Sequence, residues 1–223
     1  MKRAMILSSH PDDDILGCGG ILSKFSKQVK FKIIFIGEGS SCRFDNPKSD
    51  KAKKEIKHRN LCAKNALDVF NVKEFSFYNL PCGRLDQIPL IEINKIIETE
   101  LIDFKPDTVF THSSCDSNRD HVKVYNSTVI ATRPGIGIKN LYSYEVLSST
   151  EWNFSKSFSP NTFISLSSKN IDQKCEAFAL YDTESRPFPF PRNEKGIKAL
   201  ATMRGMQSGN NYAESFKLIR RIT

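Results

Sequence analysis

Within the first 36 residues the chain runs from a short apolar segment through a carboxylate-rich loop and a helix-length stretch into a second apolar segment. No other feature restricts the fold as much. Ala4–Leu7 and Lys32–Ile36 read as buried strands, the second β-branched, with a helix over Ile15 to Gln28 between them. Strand, helix, strand implies a parallel pair joined by a right-handed crossover. The alternation continues with helices over Pro47–Val69, Pro89–Asp103, Val122–Thr132 and Lys169–Tyr181. Strands are expected at Glu74–Tyr78, Thr108–Thr111, Tyr142–Leu147 and Thr162–Leu166. Gly196–Arg204 and Tyr212–Arg220 read as closing helices, while Ser185–Arg192 is too proline-rich for a helix interior. The expected class is α/β, a mostly parallel sheet flanked by helices. With no internal repeat and no low-complexity linker, one domain over residues 1–223 is expected.

In such sheets ligands bind outside the carboxyl ends of the strands. The chemically rich stretches fall there: His10 to Asp14 after the first strand, Gly37 to Arg43 after the second, and His112 to His121 after Thr108–Thr111. Three loops are therefore expected to meet on one rim.

Bulk properties exclude several classes. No run of about 18 apolar residues exists, so no segment is expected to span a membrane, and Met1-Lys2-Arg3 turns polar too soon for a signal peptide. Six dispersed cysteines without a C-x-x-C pair suggest neither a zinc ribbon nor a disulfide framework, and a cytoplasmic protein with reduced thiols is expected. The net charge of +8 owes much to Lys48–Arg59, with a second cluster at Lys217, Arg220 and Arg221. Without interleaved aromatics or a recognition motif, this reads as a solvated helix face, and no nucleic-acid partner is expected. Gly17-Cys18-Gly19-Gly20 lacks the G-x-G-x-x-G spacing of a dinucleotide loop, and three adjacent aspartates would repel a pyrophosphate.

A histidine and three carboxylates between a buried strand and a helix are costly to bury unless a cation joins them. Hydrolytic zinc sites use three protein ligands and leave a fourth position open. His10 and Asp13, spaced H-x-x-D, supply two. For the third, His58 lies in the basic helix and reads as surface, and His112 ends a strand and reads as a core or supporting residue. His121, following Asp120 at a helix start, is the choice. Zinc suits this set, and iron or manganese would meet the same donors. Asp12, outside the set, fits a proton acceptor, and Asp14 a helix cap.

His-Pro-Asp-Asp-Asp-x-Leu-Gly-Cys-Gly-Gly from His10, followed by Asp-x-Asn-x-Asp-His-x-x-Val from Asp116, resembles the LmbE-like or PIG-L family of metal-dependent de-N-acetylases. Gly39–Arg43 resembles its substrate-facing loop. Ser148–Trp152, Ala177–Tyr181, Arg204-Gly205 and Ala213–Phe216 resemble its bacterial sugar-modifying subgroup. The resemblance implies a Rossmann-like fold with His10, Asp13 and His121 as zinc ligands and Asp12 as general base. It further implies Asp120 as a carboxylate behind the ligands and Arg43 as a substrate contact. Two positions depart from the pattern: Asn118, where many members have histidine, and Phe190, where the subgroup often has Pro-His-Pro-Arg. Asn118 cannot donate a proton to a leaving amine, though its amide could hydrogen-bond an oxyanion.

The activity implied is removal of an N-acetyl group from an N-acetylglucosamine-type sugar, as the free sugar, a nucleotide sugar or a lipid-linked sugar, in surface polysaccharide or glycoconjugate synthesis. The alternative is an impaired member that binds a glycan or nucleotide sugar without hydrolysing it.

Overall fold

A computed structural model describes residues 1–223. The strands are β1 (Arg3–Ser8), β2 (Lys30–Gly37), β3 (Glu74–Leu80), β4 (Thr108–His112), β5 (Asn140–Tyr144), β6 (Thr162–Leu166) and β7 (Tyr212–Arg221). The helices are α1 (Asp13–Phe25), α2 (Asp50–Val69), α3 (Leu90–Phe104), α4 (Arg119–Ala131), α5 (Ser168–Ala179) and α6 (Glu194–Gln207). All seven strands form one sheet in the order β3-β2-β1-β4-β5-β7-β6. From β3 to β5 every pairing is parallel, whereas β7 runs antiparallel to both β5 and β6.

The strand alternation divides the core. Ala4, Ile6, Ile33 and Phe35 face one apolar layer, completed by residues of α1, α2 and α5, including Ile15, Ala63 and Phe178. Met5, Leu7, Ile34 and Ile36 face the other, completed by α3 and α4 through Ile93, Ile97 and Val124. Helices on both faces explain why the central strands read as continuous apolar runs. The strand order reverses at β1, which has β2 on one side and β4 on the other. The loops leaving β1 and β4 therefore open onto the crevice where such sheets bind ligands.

One expectation is corrected here. Tyr212–Arg220 is no helix: it forms β7, hydrogen-bonded on both sides in the sheet. Ala213 to Phe216 are buried in succession, so the segment shows no strand alternation, and tertiary pairing overrides its local propensity. Gly17-Cys18-Gly19-Gly20 lies inside α1, where ten consecutive residues from Asp13 to Leu22 are buried. A Cβ at Gly17 would sit 2.2 Å from the Tyr144 ring, and one at Gly20 would sit 2.4 Å from Leu166. These glycines let α1 approach the sheet.

Gly17→Ala is consequently expected to destabilise the protein. The helix-propensity gain of about 1 kcal/mol is outweighed by overpacking of about 1–3 kcal/mol or more. The Tyr144 ring cannot retreat cheaply, being fully buried with its hydroxyl donating to Leu7 O at 2.8 Å. A lowered urea midpoint checks this; an unchanged or raised one contradicts it.

Candidate metal centre and active site

Burial gathers the site beneath the rim. His10, Asp12 and Asp13 leave the end of β1, while Asp116, Asp120 and His121 follow β4, all with exposures of 6% or less. His10, Asp13 and His121 each place a donor atom within 4.8 Å of the others, a grouping that could hold a metal ion. His121 Nε2 lies 3.3 Å from Asp13 Oδ2, and His10 Nδ1 lies 3.5 Å from the same oxygen. Asp13 Oδ2 also accepts the His10 N–H at 2.9 Å. Asp13 Oδ1 and His121 Nε2 are buried without any hydrogen-bond partner. Orphaned polar atoms at such depth carry a desolvation penalty that a cation would remove. The residues present therefore fit a metal ion.

Each imidazole is aimed by a carboxylate on its other nitrogen. His10 Nε2 is 2.9 Å from Asp120 Oδ2, and His121 Nδ1 is 3.1 Å from Asp116 Oδ2. Such pairs fix the tautomer and raise ligand basicity. Asp120 further accepts the N–H groups of Gly83 at 2.6 Å and Leu85 at 3.1 Å. Burial pushes its carboxyl up, but the His10 hydrogen bond and these amides outweigh that and hold it below the usual range. Burial also opposes ionisation of Asp116, yet His121, Ser149 and Thr150 hold it at about 2. Burial lowers His121, but Asp13 and Asp116 more than reverse this and raise it to about 10. The cluster carries excess negative charge that a proton or a metal cation neutralises.

His112 packs under this group, its ring 4.0 Å from that of His121 and nearly parallel. Its Nε2 accepts the Ser9 N–H at 2.8 Å, so the ring is the Nδ1-protonated neutral form. Burial and the neighbouring His121 hold its pKa well below the ordinary value. His112 is fully buried, with Nε2 3.6 Å from Asp13 Oδ2.

Asp12 stands in a separate cradle. It adopts φ 119°, a region costly for a residue with a side chain, and is fully buried. Its Oδ1 lies 3.0 Å from Arg59 Nη2 and its Oδ2 2.8 Å from Arg192 Nη1. Burial pushes the carboxyl up to about 6, against the pull of both guanidinium groups. It is ionised at neutral pH yet more basic than a free aspartate. Glu184 joins the same cradle, 3.0 Å from Arg59, 3.4 Å from Arg192 and 2.7 Å from Arg43. Arg43 is one-third exposed and lies in the short turn after β2.

Asp14 does not cap α1. The N-cap position is Asp12, with no side-chain cap bond, and Asp14 Oδ1 accepts the Asp12 N–H at 3.2 Å. Burial drives the Asp14 carboxyl up to about 8, so it is largely protonated at neutral pH. Asn118 is the side chain that caps a helix: its Oδ1 accepts the Asp120 N–H at 2.9 Å at the start of α4. Phe190 packs edge-on against Trp152, centroids 5.8 Å apart. His58 is on the surface as expected, 44% exposed.

Arg59, Asp116, Glu184 and Arg192 were not assigned roles from sequence. Arg59 lies in the lysine-rich stretch that reads as a solvated face, yet it is 2% exposed. Its signal was position: on α2 it shares the buried stripe of Ala52, Cys62, Ala63 and Ala66. Asp116 stood in the quoted Asp-x-Asn-x-Asp-His pattern. A surface cavity of about 520 Å³, lined by Leu101, Ile102, Lys105 and Ile136, lies at the amino end of β4, away from this site.

Asn118→Ala is expected to cost about 0.5–2 kcal/mol through loss of the cap. The Asn118 backbone N–H to Asp116 Oδ1, 2.8 Å, remains. Turnover is accordingly expected to stay within tenfold, as measured by denaturation and steady-state kinetics together; a hundredfold fall with unchanged stability contradicts this.

A mostly parallel α/β sheet with a histidine–carboxylate donor set at its switch point defines an α/β protein with a candidate metal centre. The chain belongs to the PIG-L family, whose profile, described as GlcNAc-PI de-N-acetylase, matches residues 5–132. No curated protein matches the sequence. Among solved structures, N,N'-diacetylchitobiose deacetylase from Pyrococcus horikoshii is 17% identical with a TM-score of 0.79, covering 98% of this chain and 84% of its own. The zinc-inhibited form of a teicoplanin deacetylase is 15% identical with a TM-score of 0.78, covering 99% of both chains. A 4-carboxy-2-hydroxymuconate hydratase from Pseudomonas putida is 18% identical with a TM-score of 0.73, covering 100% of this chain and 98% of its own. These likenesses establish the LmbE-like deacetylase fold, which also hosts a hydratase, so the reaction has to be argued from the site. No helix is long and apolar enough to cross a membrane.

Proposed function

We propose that this chain is a metal-dependent amide hydrolase removing the acetyl group from an N-acetylglucosamine-type sugar or glycoconjugate, in surface polysaccharide or glycoconjugate synthesis. One observation carries the reading. Buried, unpaired Asp13 Oδ1 and His121 Nε2 stand within a donor set whose two histidines are each aimed by a carboxylate, with Asp12 outside it. Family membership and the deacetylase names of two structural neighbours support the same class.

His10, Asp13 and His121 would hold the cation; zinc suits two nitrogens and a carboxylate, and Fe²⁺ or Mn²⁺ are compatible. A divalent cation there would act as a Lewis acid toward the acetamide carbonyl and make water easier to deprotonate. Asp12 accepts the proton of the attacking water and returns it to the departing amine, so one residue serves as base and then acid. Arg59 and Arg192 keep its carboxylate ionised and fixed. Asp120 and Asp116 orient the imidazoles, Asn118 holds the start of α4 that carries His121, and Arg43 meets polar groups of the sugar at the rim.

Asn118, whose Oδ1 caps α4, and Phe190, packed on Trp152, supply no acid besides Asp12. They favour the second reading, a glycan or nucleotide-sugar binder without turnover. Metal analysis followed by incubation with N-acetylated sugars, nucleotide sugars and lipid-linked sugars separates the two. The hydrolase releases free amine in proportion to bound metal; retention of a sugar with no amine released supports the binder.

A further inference from the structure

We propose that His58, Cys62 and Asp182 form a second metal site, at the surface and apart from His10, Asp13 and His121, suited to zinc or a similar borderline divalent cation. α2 presents His58 and Cys62 four residues apart, so both side chains share one face. Their Nε2 and Sγ atoms are 3.6 Å apart. Asp182, just beyond α5, brings Oδ1 to 2.7 Å from His58 Nε2 and 3.9 Å from Cys62 Sγ. The three donors are therefore all mutual neighbours, a grouping that could hold a metal ion.

The spacing can be compared with tetrahedral zinc. Bond lengths of about 2.3 Å to sulfur and about 2.0–2.1 Å to nitrogen or oxygen put sulfur about 3.6 Å from each lighter donor and those two about 3.4 Å apart. The sulfur distances already lie within a few tenths of an ångström of this. Only the His58–Asp182 pair has to open, and both side chains are free to move, being 44% and 65% exposed. Their exposure also turns the fourth coordination position toward water, while Cys62 itself is 5% exposed. A plain surface ion pair would account for His58 and Asp182, but it has no need of a sulfur within reach of both. Without a cation the Cys62 thiol keeps its proton, because burial and the Asp182 charge push it up; a metal removes that opposition and takes the thiolate.

The position gives such a site a consequence. His58 adjoins Arg59, and Asp182 lies two residues before Glu184, which Arg59 holds at 3.0 Å. A cation would fasten α2 to the segment after α5 where those two residues close the cradle around Asp12.

Titration of the full chain with Co²⁺, followed by absorbance, tests this independently of the hydrolase reading. His10, Asp13 and His121 contain no sulfur, so a thiolate-to-cobalt charge-transfer band reports cysteine ligation alone. The expected result is a saturable band whose amplitude matches one thiolate–cobalt bond per chain, whether or not His10, Asp13 and His121 take up cobalt first, and which vanishes in Cys62→Ser and persists in Cys82→Ser, the control for the cysteine near His10 and Asp120. Because Cys62 packs in the core, the exposed His58→Gln variant provides a second readout and should weaken the cobalt affinity of the band at least tenfold. Absence of the band in the wild type, its survival in Cys62→Ser, or unchanged affinity in His58→Gln would each overturn the proposal.

Discussion

Asp12→Asn is expected to lower turnover by about 10²–10⁴-fold while bound metal stays at the wild-type stoichiometry. Asparagine matches aspartate in shape but accepts no proton, so the substitution separates chemistry from architecture. The cradle should survive it, because neither arginine depends on Asp12 alone. Arg59 keeps Glu184 at 3.0 Å and the carbonyls of Pro11 and Gly39. Arg192 keeps Ser148 Oγ at 2.5 Å and Glu184 at 3.4 Å. The three donors on the other side of the site are untouched. Amine release and metal content, measured on the same preparation, make the outcome readable. Near-normal turnover would remove Asp12 from proton transfer, and a fall in metal content would make it part of the donor set instead.

How far the site was legible depends on what each residue needs from its neighbours. His10, Asp13, Asp120 and His121 come from two short stretches with recognisable spacing, and the parallel sheet brings those stretches together because β1 and β4 are adjacent. The Asp12 cradle is assembled differently. Its Arg59 comes from the middle of a lysine-rich helix, its Arg192 and Glu184 from a proline-rich connection, and nothing local marks them as partners of a residue 47 to 180 positions away. Long-range ion pairs leave no periodic trace. Asp14 departs from the expected cap for a related reason: carboxylates near a helix start suggest a cap, but here the chain turns through positive φ at Asp12 and Asp14 accepts that residue's own N–H.

The parallel half of the fold was readable because each crossover presents its own strand and helix with distinct patterns. The antiparallel end was not. β7 carries Glu214 and Ser215 in its buried stretch, so it shows neither a polar–apolar alternation nor the apolar run of a central strand. The physical reason for a buried glutamate in that strand is an ion pair with a helix two elements earlier.

Lys174→Met is expected to destabilise the protein by about 3–5 kcal/mol, because it leaves the Glu214 carboxylate buried without its counter-charge. Lys174 on α5 and Glu214 on β7 are 2.6 Å apart, and each side chain is 7% exposed. The pair is also fixed to α1: Lys174 donates to Leu16 O at 2.7 Å, and Glu214 accepts the Gly20 and Ile21 N–H groups at 2.8 Å each. Glycines make the room. A Cβ on Gly19 would lie 2.8 Å from Lys174 Cγ, and one on Gly20 would lie 3.0 Å from the Glu214 carboxyl carbon. Glu214→Leu should cost more than Lys174→Met, since it strands a buried ammonium and removes the acceptor of two amides, each orphan adding about 1–3 kcal/mol. The double variant should recover at least about 1 kcal/mol relative to Glu214→Leu, because the unpaired charge is gone even though the amides remain unsatisfied. In thermal unfolding the single lysine change corresponds to a drop of roughly 6–20 °C for a chain of this size. Urea denaturation of the two single variants and the double variant measures all three terms. A Lys174→Met cost under about 1 kcal/mol would mean that the glycines of α1 serve only its approach to Tyr144 and Leu166, with the ion pair incidental to the packing of α1 on the sheet.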